Sequence, residues 1–155
     1  DSYRRVLRWF SNIVLVTDPQ DPAQVEAALA KGRLFAVFEM LGTPEGLDIH
    51  AGAGELGDTV PVGTTLEVTV PHVRNLDKSL PAPTIVATVY RIDGNGPTIV
   101  AQGSDSLSVP MAGAGAYRVE ITMVPHHLGP YLGDLGTAYA EQTVPWIYAS
   151  PIYAQ

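Results

Sequence analysis

The chain has 155 residues, enough for one domain that buries its own core without staples. Gly and Pro together make 28 of them, which excludes a helical bundle or coiled coil, because each breaker inside a helix costs about 1 to 3 kcal/mol. The net charge of −7, with Lys31 and Lys78 the two lysines, excludes the clustered cations that a nucleic-acid binder needs to displace counterions.

Along residues 2–11, Tyr3, Val6, Leu7 and Phe10 recur at helical spacing, with arginines on other faces and Ser2 placed to cap the start. The apolar run 13–16 is too short for periodicity to decide. Asp21-Pro22 then marks a helix start, with Asp21 as N-cap and Pro22 at the first helical position. That helix runs to Lys31 with Val25, Ala28 and Leu29 as its apolar stripe, and Gly32 stops it.

Beyond Gly32 the pattern turns to strands. Residues 34–38 read as a buried strand, 42–46 as a turn, and 47–50 and 65–70 alternate apolar with polar. Residues 85–92 and 97–102 flank Asp93-Gly94-Asn95-Gly96, a hairpin signal. Residues 116–124 set Tyr117, Val119, Ile121 and Met123 against Arg118, Glu120 and Thr122, and 146–153 forms a last strand. In that strand, alternation puts Trp146 and Tyr148 on one face. Short strands joined by Gly/Pro turns predict a mainly β protein, an Ig-like antiparallel β-sandwich with an N-terminal helical segment. Residues 127–136 read as helical turns over one end of the sheets.

The absence of cysteine excludes disulfides and thiolate chemistry in this sequence and leaves the compartment open. No apolar run approaches the ~20 residues of a membrane-spanning helix. Gly52-Ala53-Gly54-Glu55-Leu56-Gly57 spells the dinucleotide fingerprint, with Asp77 at the place of a ribose contact. The fingerprint works only when a helix follows, and Val60-Pro61-Val62-Gly63 cannot hold one, so the segment reads as an inter-strand loop. Asp48 and His50 lie two apart on one strand face, as a pair of metal ligands would, but no third ligand is supplied locally. The plainer reading is a solvent-facing pair with Leu47 and Ile49 pointing inward. His126 and His127 are adjacent, so on an extended chain they face opposite ways, and His72 stands alone. Asp93-Gly94-Asn95-Gly96 lacks the closing Glu of a calcium loop. Gly103-Ser104-Asp105 lacks a nucleophile elbow. The site expectation is therefore no catalytic or cofactor-binding residue, with Asp48, His50, His126 and His127 as the candidate metal ligands. A further idea comes from Trp9, Tyr131, Tyr139, Trp146, Tyr148 and Tyr153, which could give a carbohydrate or cell-surface ligand-binding module its stacking faces.

The passage 27–38, Ala-Ala-Leu-Ala-Lys-Gly-Arg-Leu-Phe-Ala-Val-Phe, resembles the helix, Gly-Arg, strand passage of bacterial PHP-domain proteins of the CehA/McbA-like metallohydrolase branch. Similar landmarks follow in the same order: Gly57-Asp58, then Tyr90-Arg91-Ile92-Asp93-Gly94, then Gly115-Ala116-Tyr117-Arg118-Val119-Glu120. The ending Pro145-Trp146-Ile147-Tyr148-Ala149-Ser150-Pro151-Ile152-Tyr153 is similar to the family's Trp-Ile-x-x-Asn-Pro-Ile-Tyr, with Ser150 in place of Asn. The resemblance implies a catalytic N-terminal barrel, with its divalent metals, preceding this region. Residues 1–32 are then a helical linker or the tail of that barrel domain, and 33–155 the sandwich. The chain itself is then a non-catalytic accessory domain without a cofactor, its partner the barrel, with self-association through the N-terminal helix as a further expectation.

Overall fold

The computed structural model describes residues 9–155. The expected stripe of Tyr3, Val6 and Leu7 lies outside the described residues. Phe10 is exposed, and edge-on to Phe38 at 5.2 Å between ring centroids.

The fold is mainly β. Strand β1 (Ser11–Val14) settles the ambiguous apolar run, pairing antiparallel with β2 (Leu34–Val37). Helix α1 (Pro22–Lys31) lies between them in sequence. Asp21 Oδ1 accepts from the Ala23 amide at 3.0 Å, capping the start. Gly32 ends it at φ +77°, with its own amide on Leu29 O and the Arg33 amide on Ala28 O, the paired closure of a Schellman turn. The expected stripe is narrower than predicted. Ala28 is buried, but Leu29 is 50% exposed.

Next come β3 (Pro44–Glu45), β4 (Asp48–Ala51), β5 (Thr59–Val60), β6 (Thr65–Thr69) and β7 (His72–Val73). The long hairpin β8 (Thr84–Asp93) and β9 (Gly96–Gly103) turns at Gly94-Asn95 as expected, with Asp93 Oδ1 taking the Asn95 amide at 2.8 Å. Strand β10 (Leu107–Pro110) leads to β11 (Gly115–Val124), the spine of the larger sheet. One edge of β11 pairs with β8. The other pairs with β13 (Ile152–Ala154) at its start and with β12 (Val144–Ala149) towards its end. The expected final strand is thus two strands, broken at Ser150-Pro151, where proline supplies no amide for a ladder. Beyond β12 lie β2 and β1, while beyond β13 lies β5, in the one parallel pairing among the described strands. The second layer is the sheet β10-β6-β4, with the small pair β3-β7 beside it.

Ile49, Leu66, Val68 and Val109 of the smaller sheet meet Val37, Val89, Val119, Ile121 and Ile147 of the larger in one continuous core. On β11 the inward set is the predicted one: Tyr117, Val119, Ile121 and Met123 are all buried. The Tyr117 hydroxyl donates to Gly113 O at 3.0 Å, pinning the turn before the strand.

Strict alternation fails in β12. Thr122 pairs with Pro145 and Ile121 with Ile147, so Trp146 is the extra residue of a β-bulge. Trp146 and Ile147 are both fully buried, and Tyr148 is left 38% exposed on the other face. Indole Nε1 of Trp146 donates to Gly42 O at 2.9 Å, so its polar atom is satisfied inside the core.

Candidate functional site

Among the described residues, a cluster of charged side chains lies where α1 ends. Asp58 follows the glycine-rich loop after β4. It is approached by the Lys31 ammonium, by Arg33 Nη2 at 3.1 and 3.3 Å from its two oxygens, and by the Glu55 amide at 2.9 Å. The Lys31 hydrogen bond is the largest cause of a carboxyl pKa held down at about 2. The Glu55 amide and Arg33 add to it, and desolvation opposes it. A carboxylate with this many donors is a structural acceptor, with little capacity left to take a proton near neutrality. The backbone closes the same joint: the Gly57 amide donates to Pro151 O at 2.9 Å and the Tyr153 amide to Asp58 O at 2.9 Å. Gly57 sits at φ +81°, and a Cβ there would lie 2.0 Å from Lys31 O, so only glycine fits. The residues that spell a dinucleotide fingerprint therefore form a loop that presses on the end of α1, with strand β5 after it rather than a helix.

A cleft of about 410 Å³ opens beside this cluster, lined by Leu15, Gln24, Ala28, Lys31, Arg33 and Glu55. Periodicity does not reveal it, because its walls come from the β1 exit, one helix face and a distant loop. The Gly32-Arg33 and Gly57-Asp58 pairs were visible in the sequence, but their contact was not.

The histidines are dispersed. Asp48 and His50 share the outer face of β4, with Oδ2 and Nδ1 3.2 Å apart, and Ile49 points into the core. Glu67 stands opposite His50 across the strand pair and accepts from the Ser108 hydroxyl at 2.9 Å. Among the described residues, no three His, Cys, Asp or Glu side chains converge as metal ligands would. His72 pairs with Glu45 at 3.2 Å on the β3-β7 edge.

His126 and His127 begin the 3-10 turn His126–Tyr131, which precedes a second turn, Gly133–Leu135, and the short helix α2 (Gly136–Ala140). The chain there is helical, as expected for this region, and not extended. The two rings still part company. His126 lies between Glu141, 3.1 Å from Nδ1, and the Thr84 hydroxyl, 3.4 Å from Nε2. His127 is 5% exposed, with Nε2 donating to Leu41 O at 3.0 Å. Burial lowers its pKa against the opposing pull of that carbonyl, with the neighbouring His126 adding to the lowering.

The aromatic residues divide as well. Trp9, Tyr131, Tyr139, Tyr148 and Tyr153 are exposed, whereas Trp146 is core. Phe10, Phe38 and Tyr148 form an edge-on row, with 6.4 Å between the Phe38 and Tyr148 ring centroids.

Fold and site together define a mainly β sandwich whose helix is fastened by a half-exposed ion cluster. No family model, no curated protein and no solved structure matches the chain. Among the described residues, no helix is long and apolar enough to cross a membrane.

Proposed function

We propose that this chain is a non-catalytic, Ig-like accessory sandwich of a PHP-type metal-dependent phosphoesterase or related hydrolase, supporting the catalytic barrel or its substrate entrance. One observation carries the reading. The landmarks of the resemblance, scattered through the sequence, lie side by side in the fold. Gly32-Arg33 meets Gly57-Asp58, and Gly57 meets Pro151. Ile152 and Tyr153 pair with Tyr117 and Ala116, and those two pair in turn with Arg91 and Ile92. That the landmarks share one strip of framework is what supports the reading. The Tyr117 hydroxyl bonded back to Gly113 resembles the tyrosine corner of Ig-like sandwiches and supports that architecture.

The barrel then precedes the sandwich strand β1, and the divalent metals belong to the barrel. The gene upstream of the Asp1 codon is the direct test. Histidine clusters of the H-x-H type on alternating strand and helix segments are expected there, and an open reading frame without them would overturn the reading. The purified chain is expected to hydrolyse generic phosphoesters no faster than buffer, with or without Mn²⁺. Turnover that disappears in Asp48→Ala or His50→Ala would overturn it as well.

The carbohydrate-binding reading keeps one specific support, the exposed rings of Phe10 and Tyr148 on either side of the half-buried Phe38. Retention of the chain on immobilised polysaccharide, lost in Tyr148→Ala, would favour it.

A further inference from the structure

A recess of about 120 Å³ adjoins the cleft beside α1, sharing Leu15 and Glu55 with it, and is walled by Phe35, Leu47, Ile49 and Leu56. The cleft is lined by charges of both signs, Lys31 and Arg33 with Glu55. Lys31 and Arg33 share one carboxylate, Asp58, although between them they carry eight N–H donors. Glu55 contributes its amide to Asp58, and among the described residues its own carboxylate has no hydrogen-bond or ion-pair partner. Asp48, which also lines the recess, is held by His50.

We propose that this cleft binds a small zwitterion with an apolar side chain, of the α-amino acid class. The ligand's carboxylate meets the surplus donors of Lys31 and Arg33, its ammonium meets Glu55, and its side chain packs against Phe35, Leu47, Ile49 and Leu56 in the recess. A simple anion would face Glu55, and a simple cation would face Lys31 and Arg33. A zwitterion answers both, and an α-amino acid carries its ammonium and carboxylate on one carbon, close enough for a single cleft to hold. The cleft volume falls within the ~300–1,000 Å³ usual for small-molecule sites. This inference is independent of the accessory-domain reading, since the cleft is built wholly from this chain.

The test is calorimetric titration of the full chain with L-leucine, 4-methylpentanoate, isopentylamine and glycine. Leucine should bind saturably at a single site, and each of the other three at least about tenfold more weakly, since each lacks one of the three contacts. Glu55→Gln keeps the backbone amide on Asp58 and should leave the melting temperature unchanged, while removing leucine's advantage over 4-methylpentanoate. The proposal fails if leucine gives no saturable signal in the millimolar range. It also fails if 4-methylpentanoate binds as well as leucine, or if Glu55→Gln leaves leucine affinity intact.

Discussion

His127 Nε2 donates to the carbonyl oxygen of Leu41 at 3.0 Å, while Nδ1 of the same ring is buried and unpartnered among the described residues. The bond fixes the neutral tautomer that carries its proton on Nε2. A second proton would have to sit on Nδ1, where nothing accepts it. This contact joins the turn Glu39–Leu41 to the helical segment after β11, beside the Trp146 bond to Gly42.

Acid should therefore loosen this end of the sandwich. The folded pKa of His127 lies below the ordinary 6.5, so the unfolded chain binds the extra proton first. Stability from this group is complete above about pH 6.5 and declines as pH falls towards the lowered folded value. A melting-temperature series from pH 8 to pH 5 should show a steeper acid limb for the wild type than for His127→Gln, which does not titrate. Parallel limbs would mean that His127 is not held neutral.

Gly57 offers a sharper test of the joint. Alanine there meets both an unfavourable φ and the Lys31 carbonyl 2.0 Å away, so Gly57→Ala should lose about 3 kcal/mol or more in denaturant unfolding. Gly63 is the control, because its φ is +94° but nothing lies within 4 Å of its Cβ. Gly63→Ala should lose only about 1 to 2 kcal/mol. Equal losses would show that backbone conformation alone, and not the close approach to α1, requires glycine at position 57.

The two tryptophans should separate in acrylamide quenching. Trp146 is fully buried and Trp9 is exposed, so the wild type should show a shielded and an accessible fraction. Trp9→Phe should leave only the shielded one, with an unchanged melting temperature. Trp146→Phe removes the bond to Gly42 and part of the core volume, and should lose about 2 to 4 kcal/mol. A readily quenched signal in Trp9→Phe would place Trp146 at the surface and revive it as a ligand-stacking face.

What could be read in advance was local. The caps of α1 depend on Asp21, Pro22 and Gly32, which act on their own neighbours. The β8-β9 turn depends on four consecutive residues, and the inward face of β11 on a period of two. What could not be read depends on partners distant in sequence. The bulge at Trp146 is a mismatch between β12 and β11, visible in neither strand alone, and it moved Tyr148 to the opposite face from Trp146. The break between β12 and β13 needed the β11 edge as a reference, and the parallel β5 pairing needed β13. Among the site residues, the outward pairing of Asp48 with His50 followed from alternation. The Asp58 cluster did not, because the same loop letters serve either a phosphate or a helix end, and only the partner distinguishes them.

The last prediction concerns the segment before Gly32. β1 adds a strand to the larger sheet, and the Leu15 amide donates to Arg33 O at 2.9 Å. Leu15 packs on the core, Ala28 is buried, and Lys31 reaches Asp58, whose side chain is 16% exposed. A chain beginning at Arg33 would bare the β2 edge and the Phe35 side of the core, and would leave Asp58 with Arg33 as its one cationic partner in the cluster. Removing Leu15 and Ala28 alone takes away about 2 to 4 kcal/mol of apolar burial. The 33–155 fragment should therefore melt well below the full chain and tend to associate through its uncovered β2 edge. Its acid unfolding should also shift upward, because the carboxylate held at about 2 returns towards its ordinary value once Lys31 is gone. The sign follows from the lowered pKa: this stabilisation is present above about pH 4 and lost as pH falls through about 2. The comparison needs only thermal melts and an acid titration of the two chains side by side. If the fragment keeps the full chain's melting temperature and acid midpoint, residues 1–32 are a linker that merely rests on the sandwich. A large loss in both would make β1 and α1 part of the folding unit, with any boundary to a preceding barrel lying before Ser11.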